Sequence, residues 1–271
     1  MNLTRFREQP VHRYLLSKAV ELLREDPRVE GLYVSGSPHT DDYSDIDLMI
    51  LSSEENRRSL EAEKREIASQ VGELMAEAMA MVPHTYVVVY RPGVKMDYCF
   101  HLCPENPRPD KALIDIVYDP KDHLAELVAK SREMTWEIDV DELRNRVQHY
   151  YVTFSYTVAK LERGELWEAR DCAEYHRQIL ITFEDILARR KGEGYRRLEQ
   201  KLSQEKLALL RRTIPTDVTR RELARCIDLC REYFDTKLKH RLSELGAHPD
   251  AYAENMTALY EEGRSRVLEL P

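Results

Sequence analysis

Asp45 and Asp47 are separated by a single residue in the stretch Ser44-Asp45-Ile46-Asp47-Leu48. In an extended strand successive side chains alternate between faces, so both carboxylates leave the same side while Ile46 and Leu48 point to the other, into a core. Two carboxylates held side by side repel each other and gain little from packing. A divalent cation removes the conflict, and Mg²⁺ suits it, because it takes oxygen ligands and commonly uses one or two carboxylates together with substrate phosphates. Upstream lies Gly36-Ser37. Glycine lets a backbone approach a phosphate closely, and a serine hydroxyl with nearby N–H groups donates to phosphate oxygens. Ser44 adds a second hydroxyl beside the first acid. The chemistry this pattern points to is the handling of a metal-bound phosphate.

A site of this kind calls for a third acid. Asp97, in Val94-Lys95-Met96-Asp97-Tyr98-Cys99-Phe100, is the preferred candidate, because its strand is expected beside the others. Asp115, in Leu113-Ile114-Asp115-Ile116-Val117, is a rival, as is Asp119, which precedes Pro120 and reads as a strand-ending turn. Two roles stay open for Asp97: metal ligand in a site of one or two ions, or general base toward an attacking hydroxyl.

These residues need a scaffold. Apolar residues at helical spacing predict a helix over 14–24, stopped by Asp26-Pro27. Short apolar runs predict strands over 31–35 and 45–51, with the turn-rich stretch 36–44 between them. Ser52-Ser53-Glu54-Glu55 resembles a capping box, and the helix it opens is expected to run to about 81, where Pro83 ends it. Further strands are expected over 86–90, 94–102 and 113–118. From 122 onward only helical patterns appear, at about 122–131, 139–163, 165–190, 196–210, 217–245 and 249–265. The expected fold is α+β: a small mixed sheet with flanking helices over 1–135, then a helical bundle over 136–271, with the active site in the cleft between them.

Bulk properties narrow the partners. A net charge of −8 argues against non-specific binding of long nucleic acid and weakly favours a cationic small substrate. Five cysteines, an odd number in a chain too large to need staples, read as free thiols; Cys226 and Cys230, one helical turn apart, read as core thiols rather than half of a metal set. The polar opening and the lack of a long apolar run lead to the expectation of a cytoplasmic protein with no membrane partner.

Gly36-Ser37 followed by Asp45-Ile46-Asp47, with Asp97 on a later strand, resembles the nucleotidyltransferase superfamily signature typified by DNA polymerase beta. The two-part layout resembles most the antibiotic nucleotidyltransferases that act on aminoglycosides and lincosamides. The motif covers about 30–119, and the stretch from Leu161 to Arg170 adds a softer likeness. Pro38 departs from the extended residue many members carry after the serine. The resemblance implies that Asp45, Asp47 and Asp97 hold Mg²⁺, that Gly36, Ser37 and Ser44 contact the triphosphate, and that ATP is the default nucleotide donor. It implies an enzyme that transfers a nucleoside monophosphate to a hydroxyl of a small molecule and releases pyrophosphate. Modification of a protein or an RNA end, and non-catalytic nucleotide binding in a regulatory protein, stay open as alternatives.

In the helical half, Lys160, Arg177 and Glu174 read first as solvated or ion-paired residues and second as substrate contacts. His176 reads as a packed or surface histidine. Tyr150, Tyr151, Tyr156, Trp167 and Tyr175 read first as core and second as a platform for a substrate ring. The basic pairs Arg189-Arg190, Arg196-Arg197, Arg211-Arg212 and Arg220-Arg221 read as solvated helix ends.

Overall fold

A computed structural model describes residues 4–270. The chain divides into two compact units, Met1–Thr135 and Trp136–Pro271. In the first, helix α1 (Pro10–Arg24) precedes strands β1 (Gly31–Val34) and β2 (Ile46–Ser52). Helices α2 (Glu54–Ala62) and α3 (Lys64–Val71) lead into β3 (Leu74–Met79), β4 (Thr85–Tyr90) and β5 (Val94–Leu102). A 3₁₀ turn over Pro109–Leu113, strand β6 (Asp115–Tyr118) and helix α4 (His123–Arg132) complete it.

The six strands form one mixed sheet in the order β3-β4-β5-β2-β1-β6. Only β2 and β5 run parallel, and they lie side by side at its centre; the other pairs are antiparallel. Two-residue alternation along β2 and β5 sends Ile46, Leu48, Ile50, Met96, Tyr98 and Phe100 into the larger core, with Leu15, Leu16, Ala19 and Val20 of α1 and Ile67 and Ala68 of α3. On the opposite face, Tyr33 and Leu51 pack under Leu124 and Leu127 of α4.

The helix expected to continue to about residue 81 ends earlier. Ser53 caps α2, accepting from the Asn56 backbone N–H, and α3 stops at Val71. Gly72 follows in extended backbone, where a Cβ would meet Leu15 and a Tyr90 ring carbon at 3.1 Å each. The chain then turns back as β3 on the sheet edge. Leu74-Met75-Ala76-Glu77-Ala78-Met79 is made of good helix formers with no alternation. Pairing with β4 overrides that local preference, and an edge strand exposed on both faces needs no apolar period.

The second unit is entirely helical among the described residues: α5 (Val140–Arg163), α6 (Leu166–Leu187), α7 (Leu198–Lys201), α8 (Gln204–Arg212), α9 (Arg220–Tyr233), a π-helical turn over Phe234–Leu238, α10 (Lys239–Glu244) and α11 (Asp250–Glu269). Two stretches expected as single helices are interrupted. Leu202 is extended and Ser203 caps α8, which divides the first; the π-helical turn separates α9 from α10 in the second. The architecture is α+β, a mixed sheet with helices followed by a helical bundle, as the patterning predicts. No helix among the described residues is long and apolar enough to cross a membrane.

Candidate active site

Asp45 sits one residue before β2, Asp47 is the second residue within it, and Asp97 lies directly opposite Asp47 on β5. In a parallel ladder, paired residues project from the same face. The centre of the sheet therefore delivers three carboxylates to one point. One oxygen from each of Asp45, Asp47 and Asp97 lies within 4.8 Å of the others, a spread that a single divalent ion can span.

Lys95, two residues before Asp97 on the same strand face, reaches into this group. Its Nζ stands 2.7 Å from Asp97 Oδ1 and 3.0 Å from Asp45 Oδ2. Burial pulls the ammonium pKa down, but the bonds to Asp97 and Asp45 outweigh that and raise it, so Lys95 is charged. Asp97 Oδ1 is buried, and the Lys95 ammonium lies against it at ion-pair distance. A buried anionic oxygen calls for a positive charge beside it, and the Lys95 ammonium supplies one.

The loop over 36–44 closes one side. Gly36 has a φ of +89°, a left-handed conformation, and backs onto Asp47. A buried arginine holds it from below. Arg5, 1% exposed, donates from Nη2 to the Gly36 carbonyl at 2.8 Å and to the Leu113 carbonyl at 2.6 Å, and from Nε to the Ser37 carbonyl at 3.1 Å. Asp115 neutralises Arg5 at 3.2 Å and accepts from the backbone N–H groups of Thr4 and Arg5. Farther along the loop, the Phe6 N–H donates to Thr40 Oγ1 at 3.0 Å, and His12 Nε2 meets the Ser44 carbonyl at 3.0 Å.

The structure thus gathers Asp45, Asp47 and Asp97 and assigns the two rival acids elsewhere. Asp115 is the counter-charge of Arg5, and Asp119 accepts from the Ala125 N–H at the start of α4. The two serines are occupied within their loop. Ser37 Oγ accepts from the His39 N–H, while Ser44 Oγ accepts from the Asp41 N–H and donates to the Asp41 carboxylate. A phosphate contact from either hydroxyl has to compete with these bonds. Lys95 and Arg5 are the residues that sequence reasoning missed. Alternation along β5 carried a signal for Lys95. Arg5 lies in a polar segment without periodicity and carried none.

The candidates in the helical unit resolve into structure. His176 is fully buried, stacked on Phe154 at 4.7 Å, and burial drives its pKa down to about 3, so it is neutral. Arg177 pairs with Glu174 and donates to the Thr213 carbonyl and the Tyr195 hydroxyl. Lys160 pairs with Glu165 and Glu168. Tyr150 and Tyr151 are core, Tyr175 donates or accepts with His149, and Trp167 and Tyr156 are exposed. Cys226 and Cys230 are buried free thiols.

No family model and no curated protein matches this sequence. Solved structures similar to the chain include an aminoglycoside 6-adenyltransferase from Bacillus subtilis, 15% identical, with 93% of this chain and 97% of that one covered at a TM-score of 0.42. A nucleotidyltransferase-like protein from Exiguobacterium sibiricum is 11% identical, with 84% and 75% covered at a TM-score of 0.40.

Proposed function

We propose that this protein is a magnesium-dependent nucleotidyltransferase that moves a nucleoside monophosphate, AMP from ATP by default, onto a hydroxyl of a small acceptor, with release of pyrophosphate. The observation that carries this reading is the convergence of the Asp45, Asp47 and Asp97 oxygens within 4.8 Å. The donor set fits the ion. All three ligands are hard oxygens, which select Mg²⁺ or Mn²⁺ over soft metals, and a cation, the Lys95 ammonium, already lies against Asp97 Oδ1 and Asp45 Oδ2.

Bound there, the ion would neutralise charge on the triphosphate and polarise the phosphorus under attack. The rest falls to the chain. Asp47, fixed on a central strand, and Asp45, at its entry, orient the donor relative to the sheet. Asp97, 16% exposed, is placed either to ligate or to take the proton of the incoming hydroxyl. Lys95, tied to Asp45 and Asp97, supplies a positive charge within reach of the phosphates. Arg5 and Asp115 set the height of the Gly36-Ser37 backbone, so the loop is preorganised before substrate arrives. The net charge of −8 supports a cationic or neutral acceptor over a nucleic acid. Aminoglycoside-like and lincosamide-like molecules are the first acceptors to test, on the strength of the sequence resemblance.

The experiment is a screen of hydroxylated acceptors with isotope-labelled ATP and Mg²⁺, read as a mass increase of the acceptor and release of pyrophosphate. The reading is supported if transfer occurs and disappears in Asp45→Asn and Asp47→Asn variants that keep the wild-type Tm. Transfer that persists undiminished in either variant refutes it.

A further inference from the structure

A second group of metal-ligating side chains lies at the other end of the same sheet. Glu30 directly precedes β1, its N–H donating to the Leu51 carbonyl at 2.8 Å. Cys103 directly follows β5, its N–H donating to the Ser52 carbonyl at 3.0 Å. His123 is the first residue of α4. One ligand atom from each lies within 4.8 Å of the others, and Cys103 Sγ stands 3.2 Å from His123 Nδ1. The acidic site is at the start of β2 and β5; this group is at their end. Ser52 lies five residue steps along β2 from Asp47, which at the rise of an extended strand is roughly 17 Å. The two sites share no ligand.

From this geometry we infer that Glu30, Cys103 and His123 form a separate metal site for a borderline-soft divalent ion such as Zn²⁺, which clamps together the entry to β1, the exit of β5 and the start of α4. The donor set decides the class of ion. A thiolate, an imidazole and a carboxylate together match zinc chemistry and not that of magnesium, whereas the acid triad is the reverse. Three protein ligands leave a fourth tetrahedral position for water or a further side chain. Asp119 is at hand at the same helix start. Its Oδ2 accepts from the Ala125 N–H at 2.8 Å, while its buried Oδ1 has no hydrogen-bond partner among the described residues. The exposed Lys121 ammonium, 3.3 Å from Glu30 Oε2, supplies positive charge to this corner and can swing into solvent when an ion takes its place. The three ligands come from segments far apart in sequence. An ion there restrains how the helix over one sheet face meets the strand ends, and its role is structural.

The test uses the full-length protein and Co²⁺ as a spectroscopic substitute for Zn²⁺. Titration should reach one equivalent with a cobalt–thiolate charge-transfer band, which Zn²⁺ displaces and Mg²⁺ does not. Cys103→Ser and His123→Gln should each weaken Co²⁺ binding beyond the roughly 10–100-fold that an indirect partner carries; Asp45→Asn and Asp97→Asn should leave the band intact. Because the ligand variants could fold poorly, a second measurement uses the unaltered chain. Zn²⁺ should slow alkylation of Cys103 at least ~10-fold, as expected when a metal ties up the thiolate that reacts, and leave alkylation of the half-buried Cys172 unchanged. Absence of a thiolate band, survival of the band in Cys103→Ser, or alkylation of Cys103 indifferent to Zn²⁺ would overturn the inference. None of these results bears on the acidic site, whose failure would show instead as a loss of magnesium-dependent transfer.

Discussion

Gly36 backs directly onto the carboxylate of Asp47: a Cβ built on the glycine would stand 2.9 Å from Asp47 Oδ2. The loop and the acid are therefore one unit. Gly36→Ala adds a methyl where no space exists and forces alanine into a left-handed conformation that costs roughly 1–2 kcal/mol. The carboxylate is the softer partner and must turn away. The expected outcome is a loss of transfer of at least ~10-fold, the rate equivalent of about 1.4 kcal/mol, with a higher Mg²⁺ requirement and a Tm a few degrees lower. Steady-state rates across a magnesium titration check it. Wild-type magnesium dependence in the alanine variant would show that the loop and the acid act independently.

Two aspartates of similar sequence context should separate cleanly by phenotype. Asp97→Asn removes a ligand and trades the ion pair with Lys95 for relief of repulsion from Asp45 and Asp47, so transfer should vanish while the metal-free Tm stays close to that of the wild type. Asp115→Asn leaves Arg5, 1% exposed, without its counter-charge. Breaking a buried pair in this way costs up to about 3–5 kcal/mol. Asp115→Asn should therefore lower the Tm by several degrees and retain measurable transfer below the unfolding transition. Thermal unfolding and initial rates on the same preparations decide between them, and a reversed pattern would mean that Asp115 belongs to the reacting centre.

The acids were legible in the sequence because strand alternation is a local rule. Asp45, Ile46 and Asp47 state which side chains share a face without reference to the rest of the chain. The register that sets Asp97 opposite Asp47 is a tertiary fact, anticipated only through the expected neighbourhood of two strands. Lys95 was readable by the same alternation that exposes Asp97. Arg5 was not, because its partners are backbone carbonyls at Gly36, Ser37 and Leu113, which leave no pattern of residue types. β3 was illegible for the opposite reason: its residues favour helix, and only the free edge of β4 makes them a strand. The helical unit showed its helices in periodicity, but not the breaks: the Ser203 cap divides the helices around Leu202, and a π-helical turn begins at Phe234 inside an unbroken apolar period.

A buried neutral histidine should give the fold an acid limb. His176 has its pKa driven down to about 3 by burial, from an ordinary value of 6.5. Between these values the unfolded chain binds a proton that the folded chain refuses. Stability is therefore lost as pH falls below about 6.5 and continues to fall toward 3. The slope from this one group approaches ~1.4 kcal/mol per pH unit. His176→Phe keeps an aromatic ring beside Phe154 and has no proton to bind. Its stability should change less between pH 6.5 and 4 than that of the wild type, by roughly 1–3 kcal/mol, whatever the packing change does to the absolute value. Urea denaturation at a series of pH values measures this directly, and parallel curves for the two proteins would show that His176 is not the group responsible.

Lys95 makes the most direct statement about how the acidic site works. Its ammonium holds Asp97 and Asp45 at 2.7 and 3.0 Å, the positions from which a divalent ion must also draw its ligands. Ion and ammonium compete for the same oxygens. The Lys95 side chain is 40% exposed, so solvent screens the interaction to about 1 kcal/mol. Lys95→Met should then tighten Mn²⁺ binding by roughly fivefold, the equivalent of that energy, and lower the Tm of the metal-free protein, in which three carboxylates would face one another uncompensated. The sign with pH follows from the raised pKa of Lys95. Its contribution to the metal-free fold is fully present below about pH 10.5 and is lost as pH rises through the still higher value in the folded state. Turnover should fall despite the tighter metal, because a charge near the phosphates has gone. Mn²⁺ titration by electron paramagnetic resonance, alongside initial rates, gives both numbers. Weaker manganese binding in Lys95→Met would mean that the lysine supports the ion instead of standing in for it.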